Sequence, residues 1–168
     1  MSMTEASEME LIADTKLALR RLAASVTVIS CSDQGERLAM SATAVSALSM
    51  RPPSMLACIN QSATIHAVLT LGTPFCINIL DVNQSEIAQL CGGGVSGDAR
   101  FALGDWRLNE IGVPYLEGAQ ANIMCTTDAT FAYGTHGIFI GKVQKIMVAK
   151  PVQPLLYVDG RYSRVAQA

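Results

Sequence analysis

Between residues 25 and 48 apolar and small polar residues follow one another in the short periods of β-strands. Ser25–Ser32 (SVTVISCS) sets β-branched beside small side chains, and Asp33-Gln34-Gly35-Glu36 has turn chemistry. Arg37–Leu48 continues as a second strand, so a hairpin is predicted. Before it, Ser7 with Glu10 forms a capping box, and Met9, Ile12, Ala13, Leu19, Leu22 and Ala23 make a helical stripe reaching about Ala24. After it, Arg51-Pro52-Pro53 breaks any helix, and Met55–Asn60 reads as a buried strand. Ser62 is placed to cap a short helix over Thr64–Leu71 that Gly72 stops. Phe75–Leu80 is a further buried strand, and Asn83 with Glu86 caps a helix running through Leu90. Two long strands, Ala119–Phe131 and Gly137–Val148, meet at Tyr133-Gly134-Thr135-His136, and Asp159-Gly160 joins Leu155–Val158 to Tyr162–Val165. About seven strands and three short helices, without βαβ alternation or repeats, predict an antiparallel barrel with peripheral helices.

Composition narrows the class. The chain has 168 residues, 50% hydrophobic and only 15% charged, with a formal net charge of −2. One domain over 1–168 is expected, with 1–18 as a helical extension. So little charge leaves few polar residues to cover a monomer, which predicts a homo-oligomer. Twelve basic against fourteen acidic residues provide no stripe for nucleic-acid phosphates. No run approaches the roughly 18 apolar residues of a membrane span, and Glu5, Glu8, Glu10 and Asp14 precede any basic residue, unlike a targeting peptide; a cytoplasmic protein is expected. Cys31, Cys58, Cys76, Cys91 and Cys125 are odd in number and widely spaced, and read as small core residues. Cys91, beside the glycines, has the alternative of a reactive thiol, although nothing near it in sequence would lower its pKa.

Several chemistries are excluded. Gly92-Gly93-Gly94 lacks the Lys of a phosphate-binding loop, no GxGxxG follows a strand, and no GxSxG elbow occurs. His66 and His136 are the only histidines, so no multi-histidine metal site is expected. An enzyme with this sequence would take its reactivity from a cofactor. Ser41, Thr43, Ser46 and Ser49 sit among small apolar residues in MSATAVSALSM, which reads either as a strand at a tight barrel corner or as a surface that a flat ligand can approach. Asn60-Gln61-Ser62-Ala63-Thr64 puts hydroxyls at a helix start, where N-capping and phosphate binding are both open.

Seven stretches in order carry a family resemblance from about Leu19 to Val165: LRRLAASVTVIS, MSATAVSALSMRPPSMLACIN, QSATIHAVL, FCINIL, GDARF, GTHGIFIGKV and PLLYVDGRY. Together they resemble the flavin reductase-like family, the small reductase components of two-component flavin monooxygenases. The resemblance implies a mainly β, homodimeric split β-barrel of Greek-key type with short peripheral helices. It implies an NAD(P)H:flavin oxidoreductase that binds FMN or FAD, takes hydride from NADH or NADPH, and passes reduced flavin to a separate oxygenase component. A flavin carrier or sensor without turnover, and a reductase of a metal-containing acceptor, are the rival readings on the same fold.

Carried over by position, the resemblance puts Ser41, Ala42 and Thr43 against the flavin ring, with Ser and Thr exchanged relative to the usual Thr-Ala-Ser. It puts Asn60, Ser62 and Thr64 along the ribityl chain and phosphate, and Arg100 and Phe101 after the mobile glycine loop, Arg100 giving charge to the phosphate. His136 and Tyr162 are expected on the nicotinamide side, and Tyr157 in the core. No side chain is expected to act as acid or base in the hydride step. The sequence departs from the family pattern at Ala44-Val45 and at Gly137; both changes are expected to reduce bulk near the pocket.

Overall fold

The computed structural model describes residues 5–166. Helix α1 (Glu5–Leu19) opens the chain, and every described side chain from Ser7 to Leu19 is exposed, including Met9, Leu11, Ile12 and Leu17. The expected stripe therefore meets no core, and the helix ends before Ala24. Past Arg20 the chain is recruited into strand pairing: β1 (Ala24–Ser25) pairs with β11 (Leu155–Val158), and Asp159 N–H donates to the Arg20 carbonyl.

Seven antiparallel strands form the main sheet. They are β2 (Thr27–Asp33), β3 (Glu36–Ala42), β4 (Val45–Met50), β5 (Pro53–Asn60), β6 (Pro74–Ile79), β9 (Ala121–Tyr133) and β10 (His136–Val148), in the order β3-β2-β6-β9-β10-β5-β4. β3 and β4 end the sheet and do not pair with each other. The predicted continuous strand Arg37–Leu48 is thus two strands broken at Thr43-Ala44. The break is where the backbone changes neighbours: the Ala42 carbonyl accepts from Thr27 Oγ1 at 2.7 Å, whereas the Ala44 carbonyl accepts from Cys58 N–H at 2.9 Å.

One face of this sheet surrounds a core of Ile29, Cys31, Ala57, Ile59, Phe75, Ile77 and Phe139, closed by Ile65 and Leu69 of α2 (Thr64–Val68) and its C-terminal flank. Behind β2, Val26 and Val28 pack with Leu80, Leu116, Leu155, Phe101 and the buried residues of α3 (Ser85–Gly92). Burial on both faces explains why β2 and β6 read as near-continuous apolar runs. All three predicted helix caps differ from the structure; Ser7 already lies inside α1, which runs from Glu5. Ser62 does not cap α2; its N–H and Oγ both donate to Asn60 Oδ1 at 2.9 and 2.8 Å, and Ala63 holds the cap position. Asn83 bonds Asp81 Oδ1 instead of α3, whose cap position is Gln84.

The small hairpin β7 (Trp106–Leu108) and β8 (Pro114–Leu116) was not foreseen. A buried polar network fastens it to the sheet. Asn78 Nδ2 donates to the Val28 carbonyl and Ser30 Oγ at 2.8 and 3.0 Å, while its Oδ1 accepts from Leu116 N–H and Asn122 Nδ2 at 2.9 and 2.8 Å. Strand β12 (Arg161–Arg164) completes a three-stranded sheet with β1 and β11. Its hairpin turn carries Asp159 at φ +51° and Gly160 at φ +77°, the left-handed pair that a type I′ turn requires. The described residues contain twelve strands instead of about seven, the additions including β7, β8, the split of Arg37–Leu48 and the separation of β1 from β2.

Candidate functional site

A cleft of about 540 Å³ lies where the main sheet is open. Leu19, Leu22, Ala24, Tyr157 and Val158 line it together with Thr43 and Ala44. The cleft is therefore built against the corner at which β3 parts from β4. Its charged lining residues are Lys16, Arg20 and Asp159. Arg20 Nε donates to Asp159 Oδ1 at 2.9 Å, Arg20 Nη2 donates to the Asp159 carbonyl at 3.1 Å, and Arg161 Nη2 donates to Asp159 Oδ2 at 2.9 Å. The hydrogen bonds from Arg161 and Arg20 hold the Asp159 carboxyl below the ordinary carboxylate range.

The same corner reaches the polar cluster of β5 and β10. Cys58, whose N–H binds the Ala44 carbonyl, is two residues from Asn60, and Asn60 lies directly opposite His136 in the β5–β10 ladder. Asn60, Ser62, Thr64 and His136 are all exposed, and His136 Nδ1 lies 2.9 Å from Thr135 Oγ1. The structure thus sets Asn60 beside His136, far from it in sequence, with Ser62 next to Asn60, and ties the Thr43-Ala44 corner to the same strand through Cys58.

The remaining expected residues are engaged by protein groups. Ser41 Oγ donates to the Ala88 carbonyl of α3 at 2.5 Å. Ala42 closes β3. Arg100 Nε and Nη1 donate to the carbonyls of Val95 and Ala39 at 3.0 and 2.6 Å, tying the glycine-rich segment to β3. Phe101 is buried, edge-on to Trp106 at 4.9 Å between ring centres, with the Arg37 guanidinium 4.4 Å above its ring. The Tyr162 ring meets Tyr157 at 5.5 Å, and partial burial raises its hydroxyl pKa.

Tyr157 corrects an expectation: it is 39% exposed and lines the cleft instead of filling the core, because at the turn end of the β11–β12 hairpin its ring meets only that of Tyr162 on its own small sheet. Gly137 corrects another. A Cβ there would lie 2.6 Å from His66 Nε2, so the missing side chain creates no free volume; His66 already fills it, its ring 5.2 Å from that of Phe139. Cys91 is buried with its thiol pushed up to about 11, mainly by desolvation, so it is not an activated nucleophile. Arg20, Lys16 and Asp159 were not singled out from sequence, since their closeness depends on α1 and the β11–β12 turn meeting across 139 residues.

The profile of the flavin reductase like domain matches residues 19–166. The chain belongs to this family. It is 37% identical, over 91% of its length and 87% of the relative, to the reductase component of the FADH(2)-dependent resorcinol hydroxylase of Rhizobium sp. strain MTP-10005. It is 32% identical to the FMN reductase (NADH) of Variovorax paradoxus strain S110, over 92% of this chain and 86% of that one. Among solved structures it is similar to the NADH:FAD oxidoreductase of Streptomyces globisporus C-1027 in complex with NAD and FAD fragments, with a TM-score of 0.86, 26% identity and 94% of each chain covered. The family match takes in the whole cleft wall contributed by the β11–β12 hairpin, and on the N-terminal side it begins at Leu19, so Arg20 lies inside it and Lys16 outside.

Proposed function

We propose that this chain is an NAD(P)H:flavin oxidoreductase: it reduces FMN or FAD with NADH or NADPH and hands the reduced flavin to a separate oxygenase. The observation that carries this reading is the joining of the Thr43-Ala44 corner, which lines an apolar cleft, to the Asn60–His136 pair through the Cys58 backbone. The relatives' activities, FMN reduction with NADH and supply to a hydroxylase, support it.

A flavin fits the residues present. The cleft lies within the ~300–1,000 Å³ of ordinary ligand sites, and its leucine and tyrosine walls match a flat heteroaromatic ring. Asn60 Nδ2 and the Thr64 hydroxyl give uncharged donors for a ribityl chain and phosphate, and Ser62, now bonded to Asn60, would turn its hydroxyl to them; Thr43 offers a hydroxyl to the ring's polar edge. With both bound, the chemistry is hydride transfer from the reduced nicotinamide to the flavin. The protein's own part is alignment and exclusion of water: small residues at 42–44 admit close approach, Tyr157, packed against Tyr162, walls the cleft, and His136 orients the donor. No side chain at the site has to move a proton in that step.

The sheet is the split barrel of this reading, and a second copy covers its outer face. Leu56, Cys58, Ile138 and Ile140 alternate with the core residues of β5 and β10, and Phe131 and Tyr133 extend the apolar surface at 57% and 82% exposure. Asn60 and His136 border that surface, so a homodimer would complete each site. Five free cysteines accord with a reducing compartment, the cytoplasm, and no described helix is long and apolar enough to cross a membrane. Anaerobic mixing with NADH or NADPH and added FMN or FAD is expected to bleach the flavin; saturating flavin that stays oxidised with both donors refutes the proposal.

A further inference from the structure

Four of the chain's twelve basic side chains gather at one turn of a protein that is net acidic. Arg20 and Arg161 are hydrogen-bonded to Asp159, Arg21 Nη1 lies 3.9 Å from its Oδ1, and Lys16 lines the adjoining cleft with no carboxylate within ion-pair distance among the described residues. One aspartate against four cations leaves a surplus of three positive charges beside an apolar cleft. Arg20 is the best placed of them. Its Nε and Nη2 are fixed by Asp159, its Nη1 donates to no acceptor among the described residues, and the side chain is 52% exposed. Gly160 gives the guanidinium its room: a Cβ there would lie 3.1 Å from Nη2.

A guanidinium held from one side and open on the other is suited to an oxyanion, and the diphosphate of a dinucleotide offers the pair of charges that the surplus needs. We infer that Arg20 binds the diphosphate of the nicotinamide donor, with Asp159 as the positioning residue that fixes the guanidinium at the cleft. The inference rests on the cleft being the cofactor site, and it adds a determinant from the N-terminal segment. Flavin phosphate has its own candidate groups at Asn60, Ser62 and Thr64, which do not line this cleft.

The test compares the wild type with Arg20→Ala, Arg20→Lys and Asp159→Asn, all as full chains. Loss of a charged hydrogen bond should raise KM for NADH about 10- to 100-fold in Arg20→Ala, with KM for flavin within about twofold. Turnover with 1-benzyl-1,4-dihydronicotinamide, a hydride donor without phosphate, should keep its KM. Arg20→Lys should recover part of the loss, and Asp159→Asn should raise KM for NADH with little change in kcat. ADP-ribose, which carries the diphosphate but no hydride, should bind the wild type in a calorimetric titration and fail to bind Arg20→Ala. That titration decides the matter even in a protein that turns nothing over. Equal losses with both donors, a rise confined to flavin, or ADP-ribose binding that ignores Arg20 overturns the inference.

Discussion

The His66 ring occupies the space into which a Cβ on Gly137 would project, 2.6 Å from that position at Nε2. Since Gly137 follows His136 in β10, the packing of α2 against the sheet is coupled to the strand that carries the candidate nicotinamide residue. Gly137→Ala should destabilise the fold by about 1–3 kcal/mol through overpacking. His66→Ala in the same chain should recover much of that loss, read as a non-additive double-mutant cycle in urea. Strict additivity would show that the two positions do not compete for space.

Asn78 holds β8 to β2 and β9 from a fully buried position. Asn78→Leu leaves the Leu116 N–H and the Asn122 amide without their acceptor, at about 1–3 kcal/mol for each buried group. Denaturant unfolding should show a loss of about 3 kcal/mol or more. A near-neutral Asn78→Leu would mean that the network adds nothing beyond its packing volume.

Among the thiols, burial raises Cys31 and Cys125 to about 12 and Cys91 to about 11, and it raises Cys76 further still. Cys58 is half-buried. Native protein treated with a thiol reagent at pH 8 should therefore modify Cys58 first, and all five only after unfolding. If the homodimer forms across β5, labelling of Cys58 should slow as protein concentration rises.

Asp159 titrates lower in the folded chain than in the unfolded one, because Arg161 and Arg20 stabilise its charged form. The stabilisation is present above the ordinary value of 3.8 and is lost as pH falls through the lower folded value. Asp159→Asn should accordingly melt below the wild type at pH 7, with the gap narrowing under about pH 4. A gap constant down to pH 2.5 would contradict this coupling.

Phe131 and Tyr133 lie on the face assigned to the second copy. Phe131→Asp should shift sedimentation toward the monomer and weaken flavin use in parallel, since the proposed homodimer would complete the site across that face. Full activity in a monomer would separate the two.

Much of the fold was legible because it rests on short-range signals. Asp33–Glu36 and Asp159-Gly160 carry their turns in the residues themselves, and the long strands around Tyr133–His136 have a strong period. What escaped depends on partners distant in sequence. The break at Thr43-Ala44 exists because Thr27 and Cys58 pull the backbone to different neighbours. The β7–β8 hairpin is too short to show a pattern, and its anchor, Asn78, looks in sequence like one polar residue in an apolar strand. At the site, Thr43, Asn60, Ser62 and His136 could be proposed from a family pattern, whereas Arg20 needed the turn that holds it.

The two strands that leave the sheet open are consecutive in the chain, with only Thr43 and Ala44 between them. From Ala42 to Val45 the backbone spans at most about 10 Å, however the rest of the sheet breathes. This corner is consequently a hinge of bounded width: the strands can splay at their far ends, but the gap beside Thr43 cannot open beyond that span. A ring lodged there would be gauged by a clasp of limited bore, and adaptation to molecules of different length falls to the parts of the cleft away from it.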